Sequence, residues 1–190
     1  MTRQLPITLP ALVFLLACPL LLFTSVARGF GGDVGFELQV YRTGVIPGVR
    51  FETDVDERST FHLRLGAQYI RHEDFGVHDD ERGDGVGFSL GYKRYLKRGY
   101  TGFSWGLRSD LWFNTLDWTD NPGTADELTG TTDVLVLQPT VELSWLHLAT
   151  PGLFVTPSVS AGFEINVMTD GEEVGQGFIF LLGLTVGTRF

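Results

Sequence analysis

The chain has 190 residues, a length that fits one domain, and 43% of them are hydrophobic and 13% aromatic. Its 23 acidic residues against 14 basic ones argue against a nucleic-acid partner, because nucleic-acid binding needs clustered basic side chains. The single cysteine, Cys18, lies in the N-terminal segment, so a chain cleaved after that segment has no thiol for a disulfide or redox chemistry.

The N-terminal segment has the features of a signal peptide. Arg3 supplies a positive start, residues 9–26 are almost wholly apolar, and Ser25-Val26-Ala27 forms a small-x-small cleavage site. We therefore predict a signal peptide over residues 1–27 and a mature domain over residues 28–190.

Two other interpretations of this segment stay open. As a membrane-spanning anchor it is weakened by Pro10 and Pro19. As a lipoprotein signal it offers Cys18, but the apolar run continues beyond that residue, where a lipoprotein turns polar.

After residue 32 the sequence alternates between apolar and polar residues, which is typical of strands with two different faces. The fifth strand shows the pattern best, since Phe103, Trp105 and Leu107 share one face while Arg108 and Asp110 share the other. We predict eight strands, an even number as a bacterial barrel requires. They lie at about 33–41, 46–56, 60–72, 86–96, 101–113, 133–146, 153–166 and 177–190.

Two strands depart from the pattern. The sixth contains residues 134–137, which are apolar on both faces. The seventh contains Pro157, which lacks an N–H and so argues against a tightly paired central position.

The predicted connections alternate in length. Short ones lie at 54–59, 96–99 and 149–152, and long ones at about 73–85, 114–132 and 167–176. Outer-membrane barrels have short periplasmic turns and longer external loops. With the N-terminus in the periplasm, every long connection is external.

The sequence from about 33 to 190 resembles the family of small eight-stranded outer-membrane barrels, which includes the barrel domain of outer membrane protein A and the X and W types. Its final residues, 183–190, look like the C-terminal strand that the barrel-assembly machinery recognises, with Phe190 in last place. Thr188 departs from the usual apolar residue. The resemblance implies an all-β transmembrane barrel in the cell outer membrane, as a monomer contacting outer-membrane lipid and lipopolysaccharide.

A closed barrel of eight strands encloses space for side chains or one small ligand rather than a wide pore. Taking the polar faces as inward, we predict a lumen filled by paired charges, because an unpaired ion is costly there. A gated ion path is the alternative interpretation. The predicted residues are Glu37, Arg50, Glu52, Arg64, Lys93, Arg108, Asp110, Glu142, Glu164 and Arg189.

The expected role is structural or one of surface interaction, without catalytic residues, metal or cofactor. The alternatives are a narrow pore for small solutes or ions and a lipid A-modifying enzyme. For the enzyme, Ser89 and His72 are the candidate pair, although no serine-hydrolase motif surrounds them. A soluble lipocalin-like barrel, with its apolar faces inward, is a further alternative.

The sequence also supports predictions for an external loop and for the aromatic residues near strand ends. The second external loop, residues 72–84, is rich in potential metal ligands but lacks the spacing of a calcium site, so we predict a solvated acidic loop. Aromatic residues near strand ends are expected to form interfacial girdles, with a sugar-binding platform as the alternative. They are Tyr41, Tyr69, Tyr92, Tyr95, Tyr100, Trp112, Trp118 and Trp145.

Overall fold

The computed structural model describes residues 32–73 and 76–190, so the predicted signal peptide lies outside the described residues. Eight antiparallel strands form a closed barrel in which each strand pairs with its neighbours in the chain and the first pairs with the last. The predicted fold class is therefore confirmed. The strands are β1 (Gly32–Tyr41), β2 (Gly44–Asp54), β3 (Ser59–Glu73), β4 (Asp80–Tyr95), β5 (Gly102–Asp120), β6 (Leu128–Leu148), β7 (Leu153–Asp170) and β8 (Gly177–Arg189). No helix in the described ranges is long and apolar enough to span a bilayer.

The barrel has two distinct ends. We call the one that holds Gly32 and Phe190 the terminal end, and it carries the turns at 55–58, 96–101 and 149–152. The opposite one, the loop end, carries the connections at 42–43, 121–127 and 171–176 and residues 76–79 before β4.

The long connections predicted from the sequence are partly strand, so the observed connections are shorter than predicted. β5 continues to Asp120 and pairs with β6 from Leu128 onward. Outside the apolar region this hairpin has polar residues on its outer face, where Thr115 Oγ1 donates to Asp133 Oδ1 at 2.6 Å. Beyond residue 113 the outward residues of β5 are polar as well, so the alternation of apolar and polar residues ends there although the strand continues to Asp120.

The two faces of the wall differ as predicted for a barrel in lipid. On β5, Leu107 points outward and is 57% exposed, while its neighbour Arg108 points inward and is 3% exposed. The same division holds around the barrel, with apolar side chains outside and ionised side chains inside. This arrangement excludes the lipocalin-like alternative, which requires the opposite facing.

Three prolines lie within strands, and each occupies an interruption in one of its ladders. Pro47 lies where the β2–β3 register has a gap, and Pro139 and Pro157 lie at two gaps between β6 and β7. Because proline has no N–H to donate, a strand can hold it where one ladder is already interrupted. Pro157 pairs with Leu184 of β8, so β7 is a central strand in spite of it.

The first and last strands close the barrel at the terminal end. The N–H of Gly32 donates to the carbonyl of Phe190 at 3.2 Å, and the N–H of Phe190 donates to the carbonyl of Gly32 at 3.1 Å. Beside them Arg189 donates to both carboxylate oxygens of Asp33 at 2.7 Å. A bidentate ion pair of this kind fixes the orientation of the two side chains as well as their distance.

The turn at 55–58 is organised by an aspartate. The N–H of Arg58 donates to Asp56 Oδ1 at 2.8 Å, and this hydrogen bond lowers the pKa of Asp56. Tyr100, which has a positive φ of 52°, donates its hydroxyl to the carbonyl of Asp56 and so ties this turn to the next one.

Candidate functional site

The candidate site is the charged part of the lumen, to which six consecutive strands contribute. Alternate residues of a strand face the same side, so each strand contributes ionised groups at intervals of two residues. Eight of the ten predicted lumen residues are buried together there. They are Glu37 (β1), Arg50 and Glu52 (β2), Arg64 (β3), Lys93 (β4), Arg108 and Asp110 (β5), and Glu142 (β6).

Glu37 is the central acceptor of this network. Its Oε2 lies 2.8 Å from Arg50 Nη1, and its Oε1 lies 3.3 Å from Arg108 Nη1 and 3.4 Å from Arg64 Nε. The hydroxyl of Thr185 also donates to Oε2 at 3.3 Å. One carboxylate on β1 therefore ties together cations from β2, β3 and β5.

Glu142 joins the network from the other side of the lumen. Its Oε1 lies 3.3 Å from Lys93 Nζ and 3.6 Å from Arg50 Nη1, and its Oε2 lies 3.4 Å from Arg108 Nη1. Lys93 also lies 3.5 Å from Glu52. Buried ions destabilise a fold unless they are paired. The shared partners therefore offset the free-energy cost of burying these charges.

The network is balanced in charge. Arg50 lies 3.1 Å from Glu52, and Arg108 lies 3.0 Å from Asp110. Four cations therefore face four carboxylates, and every one of the eight has an opposite charge within 4 Å.

The other two predicted lumen residues lie elsewhere. Arg189 lies at the terminal end, where it pairs with Asp33 at 2.7 Å and stacks over the ring of Tyr100. Glu164 lies nearer the loop end and accepts hydrogen bonds from Gln68 at 3.2 Å and Gln138 at 3.4 Å. Within the described ranges no cationic side chain lies within salt-bridge distance of Glu164. The structure thus does not bring these two residues into the shared network.

Two neutral residues that contact the network, His62 and Gln39, were not predicted from the sequence. Arg50 Nη2 donates to His62 Nδ1 at 2.8 Å, so the neutral ring carries its proton on Nε2. Gln39 Oε1 accepts from Arg64 and from Arg108, both at 3.1 Å. Strand parity could have found both, since His62 shares a face with Arg64 and Gln39 with Glu37.

Toward the loop end the lumen becomes apolar. The boundary is Trp112, whose Nε1 donates to Gln138 at 3.0 Å and whose ring lies 5.7 Å from the guanidinium carbon of Arg64. Beyond it a buried cluster fills the interior. Its members are Ile46, Trp112, Leu116, Trp118, Val134, Val136, Val174, Ile179 and Leu181.

This cluster corrects part of the predicted aromatic girdles. Trp112 and Trp118 belong to the lumen, and Tyr95 is buried at the terminal end with Leu146 and Phe154. By contrast, Tyr69 and Trp145 are exposed on the outer face as a girdle requires. Both kinds of aromatic lie near strand ends, so position along the strand does not separate them.

Residues 72–84 are only partly solvated as predicted, because Glu73, Asp79 and Asp84 are exposed whereas His72, His78 and Glu81 are buried at the loop end. Glu81 Oε2 lies 2.8 Å from His72 Nδ1, and its Oε1 accepts from the N–H groups of Val77 at 3.0 Å and Gly175 at 3.2 Å. Glu81 therefore ties the second external connection to the fourth.

His78 adds a second link across the loop end. Its ring stacks on Trp118, with centroids 4.1 Å apart and planes 9° from parallel. Nδ1 lies 3.0 Å from Asp120, and Nε2 lies 3.0 Å from the carbonyl of Glu173. In residues 32–73 and 76–190, no group of three or more His, Cys, Asp or Glu side chains is arranged to hold a metal.

Two small cavities lie in the lumen, one on each side of Trp112. A cavity of about 10 Å³ lies among Asp33, Arg50, Glu52 and Lys93, and another of about 10 Å³ lies between Tyr41 and Val136. Each has room for about one water molecule.

The two residues considered for catalysis lie far apart. Ser89 is buried in the middle of β4, where its register neighbours are Arg64 and Asp110. His72 pairs with Glu81, eight residues away along the same strand, or about 26 Å at 3.3 Å per residue. They therefore do not form a nucleophile and base.

An apolar exterior, a closed antiparallel wall and an ion-paired interior together define a small eight-stranded barrel of the outer-membrane type. The resemblance predicted from the sequence is thereby confirmed for the fold. No protein-family model matches the sequence, and no curated protein matches it by sequence.

Solved structures of similar fold include the three that follow. The N-terminal β-barrel domain of Pseudomonas aeruginosa OprF is 14% identical, with a TM-score of 0.47 over 84% of this chain and 97% of that one. Acinetobacter baumannii CarO is 10% identical, with a TM-score of 0.48 over 83% and 98%. Ail, the attachment invasion locus protein of Yersinia pestis, is 9% identical, with a TM-score of 0.44 over 84% and 97%. Identities this low say nothing of function.

Proposed function

We propose that this protein is a closed, non-conducting barrel of the cell outer membrane, with a structural or surface-interaction role. The observation that carries the proposal is the continuous belt of apolar side chains around a lumen of paired charges. In lipid every backbone polar group needs an internal partner, and a closed barrel satisfies that requirement.

The height of the belt fits a bilayer. On β5 the outward residues from Phe103 to Phe113 are apolar except Ser109, and Thr115 and Asp117 follow them. Ten residue steps span about 33 Å along a strand, which a tilt of about 40° reduces to about 25 Å. This is the height of the apolar band of outer-membrane barrels.

The lumen supports a structural role over the pore alternative. The shared ion pairs fill the barrel from β1 to β6, and the cavities described above each hold about one water. An ion crossing this interior would have to displace paired charges, each of which is costly to leave unpaired.

The proposed orientation places the loop end outside the cell. There the β5–β6 hairpin extends beyond the belt with Thr and Asp on its outer face, as at Thr131 and Asp117, which hydrogen-bond at 2.7 Å. This polar extension would contact lipopolysaccharide, and the barrel would act as a monomer.

Location and closure can be tested together. We expect the protein in the outer-membrane fraction of a sucrose gradient, and recovery in the soluble periplasm would overturn the proposal. In planar bilayers we expect no stepwise current from the folded protein, with heat-unfolded protein as the control. Steady channel openings would favour the narrow-pore alternative.

The facing of the wall can be tested with two conservative substitutions on β5. Ser109 is exposed on the outer face and Ser104 is buried in the lumen. In reconstituted bilayers, we expect a lipid-soluble maleimide to modify S109C and not S104C. The reverse preference would contradict the proposed facing.

The enzyme alternative is tested by mass spectrometry of lipid A from cells with and without the gene. We expect identical spectra, because Ser89 and His72 lie far apart. A reproducible change in acylation would overturn the non-enzymatic assignment.

Phe190 is proposed as the signal read by the barrel-assembly machinery. Deleting it would also remove its two hydrogen bonds to Gly32, so we propose the substitution F190S, which keeps them. We expect F190S to assemble far less than T188S, measured by heat-modifiable migration of membrane samples. Equal assembly in cells would remove the proposed signal.

A further inference from the structure

The connection between β7 and β8, residues 171–176, lies across the loop end of the lumen. It places Val174 in the buried apolar cluster, where that side chain is 2% exposed. The carbonyl of Val174 accepts from Asn166 Nδ2 at 3.0 Å, and the N–H of Gly175 donates to Glu81 Oε1 at 3.2 Å. The connection therefore covers the apolar half of the lumen.

His78 contacts this connection through one ring nitrogen and β5 through the other. Its Nε2 lies 3.0 Å from the carbonyl of Glu173, and its Nδ1 lies 3.0 Å from Asp120 Oδ2. A carbonyl and an ionised carboxylate only accept, so each contact requires a proton on the ring nitrogen. A neutral imidazole carries one N–H, whereas an imidazolium carries two. The arrangement therefore fits the protonated ring.

A neutral ring would lose its contact with the connection rather than its contact with β5. A carboxylate is a stronger acceptor than a carbonyl, so the single N–H stays on Nδ1, toward Asp120. Nε2 then turns a lone pair toward the carbonyl oxygen of Glu173. The side chain of His78 is 5% exposed, so water replaces the lost partner poorly.

The groups around the ring are acidic or uncharged. The N–H of Asp79 donates to Asp120 Oδ1 at 3.3 Å, and Glu81 accepts from the N–H of His78 and pairs with His72. Residues 76–81, 118–120 and 171–176 contain no lysine or arginine. Within these segments, a proton on the His78 ring therefore meets no lysine or arginine charge.

We propose that His78 is a proton-dependent latch for the connection at 171–176. Histidine is the side chain whose charge ordinarily changes between pH 5 and 8. At the acidic end of this range the imidazolium donates to both partners and holds the connection in place. At the basic end the neutral ring releases Glu173, and the connection opens more often and exposes Val174. The charged network lies on the other side of Trp112, so the latch is separate from the closed-lumen role proposed above.

The test measures hydrogen exchange at residues 172–175 of the intact barrel in phosphatidylcholine nanodiscs, at pH 5.5 and 7.5. Each rate is divided by that of an unstructured peptide of the same sequence at the same pH, because intrinsic exchange itself depends on pH. We expect about fivefold greater protection at pH 5.5, the factor that corresponds to a hydrogen bond of about 1 kcal/mol. Equal protection at the two pH values would overturn the proposal.

The substitution D120N tests the donor–acceptor argument directly. It keeps the shape of the side chain, and its amide can donate to Nδ1 of a neutral ring, which then carries its proton on Nε2 and donates to Glu173. We therefore expect D120N to have at pH 7.5 the protection that the unmodified protein has at pH 5.5. Lower protection than in the unmodified protein at pH 7.5 would contradict the latch.

The substitution H78F separates the latch from the other histidine at the loop end. Phenylalanine keeps a ring against Trp118 but makes neither polar contact. We expect H78F to show, at both pH values, protection no greater than that of the unmodified protein at pH 7.5. A pH dependence retained in H78F would overturn the proposal and assign the effect to His72.

Discussion

The two halves of the lumen are filled by opposite chemistry within the same wall. Near the terminal end, four cations and four carboxylates share partners around Glu37 and Glu142. Near the loop end, aliphatic and aromatic side chains pack around Trp112 and Trp118. The interior of a small barrel is therefore not required to be polar; it is required to be full, and its charges are required to be paired.

The difference has consequences for how each half responds to substitution. In the charged half, one residue serves several others, as Glu37 serves three arginines. In the apolar half, each side chain contributes its own buried area. Substitutions are therefore expected to couple strongly in the first region and to add more independently in the second.

The largest expected effect is that of E37Q. It removes one charge without changing the side-chain volume, so four cations face three carboxylates and Arg64 loses its carboxylate partner. We expect a loss of about 4 kcal/mol in the free energy of unfolding, measured by urea denaturation in bilayers.

The double substitution E37Q/R50Q is the matched control. It restores equal numbers of cations and carboxylates, so we expect it to lose less stability than the sum of the two single changes. Additive losses would show that the charges act as separate pairs and not as a network.

A smaller effect is expected in the apolar half from L181A. Leu181 is fully buried in the lumen, whereas its neighbour Leu182 is 50% exposed on the outer face. We expect L181A to cost about 3 kcal/mol, because a cavity remains inside a closed wall. L182A is expected to cost less, since acyl chains fill the vacated space; equal losses would contradict the assigned facing.

The sequence predicted the charged half better than the apolar half. Ionised residues at intervals of two identify an inward face directly. On this basis Glu37, Arg108 and the other residues of the charged network were predicted to face the lumen. Residues 134–137 are apolar on both faces, so alternation does not show that Val134 and Val136 point inward. Trp112 and Trp118 raise the same difficulty, because an aromatic ring near a strand end suits a girdle or a lumen equally well.

The ends of the strands were predicted least well, for a related reason. Alternation is visible only while the outward residues are apolar, and beyond the belt they become Thr and Asp, as at Thr115 and Asp133. The burial of Glu81 depends on contacts between segments far apart in the chain. No local pattern encodes such contacts.

The smallest expected effect concerns the loop end. It tests whether the loops there unfold together with the apolar half of the lumen or separately from it. His78 stacks on Trp118, a member of the buried cluster, and also contacts Asp120 and the carbonyl of Glu173. The stacked pair is worth about 1 kcal/mol, and its partner Asp120 is partly exposed, which limits the gain from that contact. H78A is therefore expected to cost about 1 kcal/mol.

The more informative measurement is which backbone amides exchange faster in H78A. If the loops open separately from the barrel, H78A raises hydrogen exchange at residues 76–79 and 171–176 and leaves the strand amides unchanged, because local opening draws only on contacts within its own unit. H147A is the control, since His147 is exposed at the terminal end. Faster exchange throughout β5 and β6 in H78A would contradict this expectation. It would mean that the stacking on Trp118 joins the loops to the apolar half as one cooperative unit.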